Sequence, residues 1–298
     1  MRIVSLLPSA TEILFEIGAG SEVVGVTHEC DHPSEALKLP KLTSASGPEP
    51  TSPAEIDRHV RAAVHAGSSL YYLDTELLDQ LNPDLIVTQE LCPVCAVSYD
   101  IVTSAAKRLR SDPRVVSLEP KTLDDVFGTI RYLGKITNHG ERADVVVTGL
   151  EARVRSLGPL DSARGDKTSA RGDKTLVLEW TDPPMSAGHW IPELVERAGG
   201  RPVLANPGAN SQRLEWEAIA AAQPDAIIVA PCGFDLAKTT RAIAQLKCVT
   251  EWSSLAAVRA GRILALDGNA YLSRPGPRLV EAAEIIARWY TSGAEYAG

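Results

Sequence analysis

Short apolar runs alternate along the chain with longer stretches in which apolar residues recur every three or four positions. The runs predict buried strands, and the longer stretches follow the helical period. Strands that alternate with helices are typical of a parallel sheet covered by helices, so the pattern predicts an α/β fold. The predicted strands cover residues 3–7, 23–26, 85–87, 115–118, 176–179, 226–230 and 263–266.

A long helical stretch divides this pattern into two similar halves. It covers residues 121–158, with Gly140 as a predicted kink or break. Roughly 30 helical residues would extend about 45 Å, long enough for a spine between two lobes. We therefore predict an amino-terminal lobe of residues 1–120, a spine helix, and a carboxyl-terminal lobe of residues 159–298.

Two local motifs indicate where elements begin and where the chain tolerates insertions. Ser9 and Glu12 have the S-x-x-E spacing of a capping box, which predicts a helix that starts at Ser9. Residues 162–168 read SARGDKT, and residues 169–175 repeat the same seven letters. This polar duplication predicts a solvent-exposed loop before the next strand.

Ligands of open parallel sheets bind beyond the carboxyl ends of the strands. Polar and aromatic residues that follow the predicted strands are therefore candidate ligand contacts. They are Ser9, His28, Glu29, Gln89, Glu179, Trp180, His189, Trp190, Tyr271 and Arg274.

Several of these candidates have two interpretations. Trp180 and Trp190 either form a flat aromatic wall for a macrocycle or pack in a core between the lobes. His189 either ligates a metal centre or has a structural role. Arg274 either holds a carboxylate or amide of the ligand or braces the start of a helix.

The five cysteines include four that fall on strand-end loops: Cys30, Cys92, Cys95 and Cys232. The C-x-x-C spacing of Cys92 and Cys95 is compatible with zinc or an iron–sulfur cluster, with His28 or His32 as a further ligand. A redox dithiol and simple buried thiols are the other interpretations. An odd number of cysteines argues against a disulfide scaffold.

Composition and motifs narrow the functional class. The chain of 298 residues has a formal net charge of -8, which gives no sign of a nucleic-acid surface. No apolar run approaches the roughly 18 residues of a membrane span. The motifs G-x-S-x-G, G-x-x-x-x-G-K-[ST] and H-E-x-x-H are absent, which favours a binding protein over an enzyme. The first apolar run is too short for a signal peptide, so we expect a cytoplasmic location, or a periplasmic or cell-surface one if the sequence was trimmed.

Residues 2–12, RIVSLLPSATE, resemble the opening of the helical-backbone metal-receptor proteins, which are the iron-siderophore and cobalamin substrate-binding proteins of ABC importers. Residues 24–27 with 31–33 resemble their second strand and its D-x-P loop. The P-D-[LA]-I segments at residues 83–87 and 224–228 resemble their paired strands. The resemblance covers nearly the whole chain apart from the duplication, and the cobalamin branch is the most similar.

This resemblance implies two Rossmann-like lobes of class III periplasmic-binding-protein type, joined by a long helix, with the ligand between them. It implies a corrinoid or related metal chelate as ligand and an ABC permease as partner, or a cytoplasmic carrier role. The loop after the second strand offers His28, Glu29, Cys30 and His32 where the cobalamin binder has tyrosines. The alternative is a protein or enzyme on the same fold whose cysteines hold zinc or an iron–sulfur cluster.

Overall fold

The structure, a computed structural model of the chain, describes residues 1–45, 52–65, 70–89, 99–157 and 172–292. The chain divides into two compact units. The first comprises Met1–Thr51, Glu55–Pro120 and Asp124–Thr148, and the second comprises Ser52–Ala54, Lys121–Leu123 and Gly149–Gly298. Both units contain helices and a sheet with parallel strands, which confirms the predicted α/β class. The lobe boundaries at residues 120 and 159 stay a prediction.

The first unit is built on a parallel sheet whose central strands are apolar. Its strands are β1 (Ile3–Ser5), β2 (Val23–Val26), β3 (Thr43–Ala45), β4 (Tyr71–Leu73), β5 (Leu85–Thr88) and β6 (Arg114–Ser117). The order in the parallel sheet is β2–β1–β5–β6, and β3 pairs with β4 as a separate antiparallel ribbon. Because β1 is buried along its whole length, it reads as a continuous apolar run rather than an alternating one.

Helices follow the strands of this unit. The last two of them lead along the chain to the second unit. They are α1 (Pro8–Glu16), α2 (Pro53–His65), α3 (Thr75–Leu81), α4 (Tyr99–Ala106), α5 (Leu123–Ile136) and α6 (Gly140–Ser156). Short 3₁₀ turns lie at Gly20–Glu22 and Ser34–Lys38. Apolar side chains of the sheet and of α3 and α4 form one core cluster, which includes Val4, Leu42, Leu78, Ile86 and Val102.

Helix α1 begins before Ser9, so the predicted capping box is wrong. Leu7 is the N-cap residue and its side chain makes no capping hydrogen bond. Pro8 occupies the first turn, where its fixed φ suits a helix and its missing N–H removes no helical bond. The hydroxyl of Thr11 instead donates to the hydroxyl of Ser5 at 2.8 Å.

The predicted spine region consists of two helices rather than one. Helix α5 ends at Ile136 and α6 begins at Gly140, so the predicted break beside Gly140 is present. Gly134 faces Ala143 so closely that a Cβ at Gly134 would overlap that side chain. Arg131 and Asp144 form an ion pair at 3.5 Å. These contacts place the two helices against each other at a corner, and the role of this region as a spine between the lobes stays a prediction.

The second unit contains a mixed sheet with a parallel centre. Its strands are β7 (Lys174–Thr181), β8 (Pro184–Ser186), β9 (Arg201–Pro202), β10 (Gln212–Arg213), β11 (Ala226–Val229) and β12 (Ile263–Ala265). The order is β10–β8–β7–β11–β12, with β9 paired to the start of β7. Strands β7, β11 and β12 are parallel, whereas β8 and β10 are antiparallel.

The helices of the second unit cover this sheet. They are α7 (Ile191–Arg197), α8 (Trp216–Ala222), α9 (Leu236–Leu246), α10 (Thr250–Ser254), α11 (Ala256–Arg259), α12 (Gly268–Tyr271) and α13 (Leu279–Ser292). One core cluster joins β7 and β11 to α8, α9 and α10, with Leu178, Ile219, Ile227, Leu246 and Trp252 among its members. Across the described ranges, no helix is both long enough and apolar enough to cross a bilayer.

Part of the duplicated segment belongs to the fold. Residues 158–171 lie outside the described residues, but the last four residues of the second copy do not. Asp173 forms an ion pair with Arg262, and the Thr175 hydroxyl lies 2.6 Å from the Tyr290 hydroxyl. Lys174 and Thr175 begin β7. The expectation that all of residues 162–175 form a solvent-exposed loop is therefore wrong for its last residues.

We expect deletion of one copy of SARGDKT to change the free energy of unfolding by less than about 0.5 kcal/mol. Because the copies are identical, either deletion leaves one D-K-T in front of Leu176, and the contacts of Asp173 and Thr175 are restored. Urea unfolding measures the change. Thr175→Ala in the full chain is the control and should cost about 1 kcal/mol, because it removes a buried hydroxyl that is hydrogen-bonded. A larger loss from the deletion than from the control would contradict this prediction.

Candidate functional site

The carboxyl ends of β7, β11 and β12 meet at one edge of the second unit. Backbone hydrogen bonds join the residues that follow these strands: Cys232 N–H donates to the Glu179 carbonyl at 3.1 Å, and Asn269 N–H donates to the Phe234 carbonyl at 3.0 Å. This edge is where ligands of parallel α/β sheets bind. The structure therefore brings together the predicted contacts Glu179 and Trp180 with the loop that carries Cys232.

Trp180 and Phe234 form an aromatic pair at this edge. Their ring centroids are 5.3 Å apart with an interplanar angle of 64°, an edge-to-face geometry. The Trp180 indole N–H donates to the Asp182 carbonyl at 3.1 Å, and the side chain is partly exposed. Trp180 thus offers apolar ring surface without an unpaired indole N–H.

Trp190 lies in the interior instead. Its side chain is 7% exposed, and its indole N–H donates to the Leu272 carbonyl at 3.0 Å. Trp190 therefore packs within the second unit and offers little exposed ring surface. Tyr271, beside Leu272, is partly exposed and is the last residue of α12.

Glu179 lies at an irregularity in the pairing of β7 with β8. Leu178 pairs with Ser186 and Trp180 with Met185, so Glu179 is an extra residue in β7, which is a β-bulge. Its Oε2 accepts hydrogen bonds from the Ser211 hydroxyl at 2.8 Å and from Gly188 N–H at 3.3 Å. Burial raises the pKa of the Glu179 carboxyl, and these two hydrogen bonds oppose the rise.

His189 is held by a tight backbone contact with residues 208–211. Gly188 has no room for a Cβ, which would overlap the backbone of residues 209–211. His189 adopts φ 51°, its N–H donates to the Ala209 carbonyl at 2.6 Å, and its carbonyl accepts from Gly208. Burial lowers the pKa of the His189 imidazole, a hydrogen bond with the Asn210 side chain opposes this fall, and the positive charge of Lys121 adds to it. The ring is therefore uncharged at neutral pH.

Arg274 is a buried member of the fold. It is 6% exposed, and one of its guanidinium N–H groups donates to the Asn269 side-chain oxygen at 2.9 Å. Asp267 caps α12 by accepting from Ala270 N–H at 2.7 Å. These contacts fit the interpretation of Arg274 as a structural brace near the start of α13.

In the first unit, His28 and Glu29 form a partly exposed pair after β2. His28 Nδ1 lies 2.7 Å from Thr43 Oγ1, and His28 Nε2 lies 3.2 Å from Glu29 Oε1. The imidazole also packs on Tyr71, with 5.5 Å between the ring centroids. The antiparallel ribbon of β3 and β4 supplies Thr43 and Tyr71, and so it orients His28.

Ser9 and Gln89 are buried in the same unit, and so is Cys30. The Cys30 sulfur lies 3.1 Å from Thr11 Oγ1 and 3.5 Å from Thr27 Oγ1. This environment of hydroxyl groups fits the interpretation of Cys30 as a buried thiol.

A four-cysteine metal site has no support from the part of the chain that the structure describes. Within those residues, no group of three or more histidine, cysteine or acidic side chains is arranged to hold a metal ion. Cys92 and Cys95 lie outside the described residues, and Cys232 is a partly exposed free thiol of the second unit. Cysteine ligation of zinc or of an iron–sulfur cluster stays a hypothesis.

The sequence did not single out Ser211, Phe234, Thr43 or Tyr71 as site residues. Phe234 follows β11, so the strand-end rule that selected Trp180 applies to it as well. Ser211 has no such signal, because only the folding of residues 208–211 onto Gly188 brings it to Glu179.

The amino-acid sequence matches the periplasmic binding protein family over residues 3–270. The vitamin B12-binding protein of Pectobacterium atrosepticum is 23% identical over 289 residues, which are 96% of this chain and 86% of that protein. An uncharacterized ABC transporter substrate-binding lipoprotein of Bacillus subtilis, YvrC, is 24% identical over 296 residues, which are 96% of this chain and 78% of the relative.

Among solved structures, a periplasmic heme-binding protein from Pseudomonas aeruginosa has a similar fold. The TM-score is 0.72 at 21% identity, with 98% of this chain and 93% of that chain covered. The similarity confirms the two-lobed class III fold.

The expectation of a cytoplasmic location is wrong. The matching family is one of periplasmic proteins, the B. subtilis relative is a lipoprotein, and the P. aeruginosa structure is of a periplasmic protein. The expectation was drawn from the apolar run at residues 3–7, of which residues 3–5 form strand β1 of the fold, and a strand carries no information about targeting.

We expect Glu179→Gln to stabilise the protein at about pH 8 and to have little effect at about pH 4. A carboxyl whose pKa is raised in the folded state binds its proton more tightly there, so stability falls as pH rises from the unfolded pKa, near 4.5, through the folded pKa. Glutamine does not titrate, so the variant does not lose this stability. The loss in the wild type amounts to about 1.4 kcal/mol for each unit of pKa elevation.

Urea unfolding of the wild type and variant at both pH values checks the prediction. Glu217→Gln is the matched control, because Glu217 is an exposed carboxyl on α8 of the same unit. An equal stability difference at the two pH values would show that burial of the Glu179 charge is not the cause.

Proposed function

Because the chain belongs to the periplasmic binding protein family, we propose that it is the substrate-binding component of an ABC importer whose ligand is a corrinoid. Relatives with the name vitamin B12-binding protein match nearly the whole chain and not one segment alone. The partly exposed aromatic pair of Trp180 and Phe234 is the observation on this chain that carries the choice of ligand.

A corrin ring offers a broad, flat and largely apolar face, which an aromatic side chain covers well. Trp180 lies at the strand-end edge where ligands of such sheets bind, and its indole N–H is already paired. Its apolar ring can therefore lose contact with water on binding and leave no polar group unsatisfied.

Polar groups beside the ring would fix the orientation of the ligand. In the second unit these are Glu179 and His189, which adjoin Gly188 and the backbone of residues 208–211. The first unit, taken by itself, offers the pair His28 and Glu29, which the β3–β4 ribbon supports. A few such anchors around an apolar contact are the usual composition of a small-molecule site.

Binding and delivery to a permease need no reaction at this site. The family consists of substrate-binding proteins rather than enzymes. The alternative of a zinc or iron–sulfur enzyme is not favoured, because the relatives described above are binding proteins.

An iron porphyrin is a second candidate ligand, and His189 is the observation that favours it. Burial keeps the imidazole uncharged, and an uncharged imidazole is a good ligand for iron.

A titration of the purified protein with cobalamin, followed by absorption spectroscopy, tests the proposal. We expect a change that saturates at about one equivalent, as for one site per chain. A parallel titration with hemin distinguishes the second candidate. Saturation with hemin and none with cobalamin would replace the corrinoid with an iron porphyrin.

We expect Trp180→Ala to weaken cobalamin binding by about 1–3 kcal/mol, because it removes the aromatic surface from the site. Isothermal titration calorimetry measures the change in Kd. Tyr72→Ala is the control, since Tyr72 is an aromatic residue of the first unit that is 63% exposed. Equal affinities of Trp180→Ala and wild type would exclude Trp180 from the site.

A further inference from the structure

Glu179 has the features of a group that selects between ligands. It is the extra residue of the β7 bulge, next to Trp180, and bulges re-aim side chains beside functional sites. Burial of a carboxylate costs free energy unless the charge is paired, so the presence of Glu179 at this position needs an explanation.

Within the described residues, the donors to this carboxyl group bind one of its two oxygens. Ser211 and Gly188 both donate to Oε2, and the described residues provide no donor for Oε1. The residue as a whole is partly exposed. A ligand group that reaches this carboxyl can therefore pair with Oε1 without displacing a described donor.

We propose that Glu179 is a specificity-determining residue, which favours a macrocycle with neutral carboxamide side chains over one with carboxylate side chains. This inference rests on the proposed function, because it concerns the same site and the same class of ligand.

A carboxamide bonds well with Glu179 in either protonation state. Its N–H group donates to the ionised carboxylate, and its carbonyl accepts from the protonated acid. A ligand carboxylate has no donor and brings a second negative charge. Two carboxyl groups that share a site poor in water cannot both stay ionised, so one must take up a proton. At alkaline pH this proton uptake weakens the binding of the acid ligand, and the amide ligand has no such cost.

The surroundings of Glu179 do not offset this effect. Its carboxyl contacts are a hydroxyl and a backbone N–H, both neutral, and burial acts on its pKa more strongly than either. His189, the neighbour of Gly188, is uncharged at neutral pH. A ligand carboxylate at Oε1 therefore gains no compensating positive charge from these groups.

Two matched ligand pairs test the inference at about pH 8.5, where proton uptake is costly. The first pair is cyanocobalamin and the monocarboxylic acid obtained by hydrolysis of one of its peripheral amides. The second pair is an iron porphyrin with propionate side chains and its diamide. For the ring that the wild type binds, we expect the amide to bind about tenfold more tightly than the acid, a difference of about 1.4 kcal/mol.

Glu179→Gln should reduce this preference to less than about threefold by strengthening the binding of the acid, while the affinity for the amide stays within about threefold. If Glu179 had a purely structural role, its replacement would instead weaken the binding of both ligands to a similar extent. Glu217→Gln, the exposed control on α8, should leave the preference as in the wild type. Glu179→Met, which keeps the length but removes the charge, should also abolish the preference.

The outcomes separate the inference from the proposed function. Corrinoid binding with no preference for the amide, or with a preference that Glu179→Gln leaves unchanged, overturns the inference and leaves the proposed function in place. Porphyrin binding with the expected preference overturns the corrinoid assignment and supports the inference. Binding of none of the four ligands overturns both.

Discussion

The parallel pairing of β7 with β11 fixes the position of Glu179 and Trp180 relative to the loop that carries Cys232 and Phe234. Residues 175–178 pair with 226–229, and all four residues of β11 are buried. A slip of one residue would turn the buried side chains to the opposite faces of the sheet, so this register is strongly specified. Where the pairing ends, the backbone of Glu179 bonds with Cys232, so the end of β7 that carries Trp180 and the loop that carries Phe234 start from fixed points.

The site departs from regular structure at the places where it offers polar groups. Glu179 interrupts the β7–β8 ladder, Gly188 has no space for a side chain, and His189 has a positive φ. A non-glycine residue in this conformation costs of order 1 kcal/mol or more, and a buried carboxyl costs further free energy. The apolar pairing of β7 with β11 offsets these costs. Local strain of this kind is often found at ligand sites.

The sequence predicts the strands because each buried strand is a short apolar run, and the runs at residues 23–26 and 226–230 match β2 and β11 to within one residue. It predicts a break beside Gly140 but not the corner, which depends on the fit of Gly134 against Ala143. The strand-end rule selects Trp180 and Trp190 alike, because it uses the order of residues and not burial. Ser211 is not predicted, because it lies 32 positions from Glu179 along the chain and contacts it only in the folded protein.

The fold can be inferred more readily than the ligand, because a core position tolerates more kinds of side chain than a ligand contact does. A core position accepts most apolar side chains of suitable volume, so relatives at 23% identity keep the two-lobed fold. A ligand contact depends on one group at one place, such as the carboxyl of Glu179 or the imidazole of His189. Family membership therefore establishes the class of protein, whereas the ligand must be argued from side chains. On this chain the aromatic surface of Trp180 favours a flat ring, and the unpaired oxygen of Glu179 favours a ring with amide side chains.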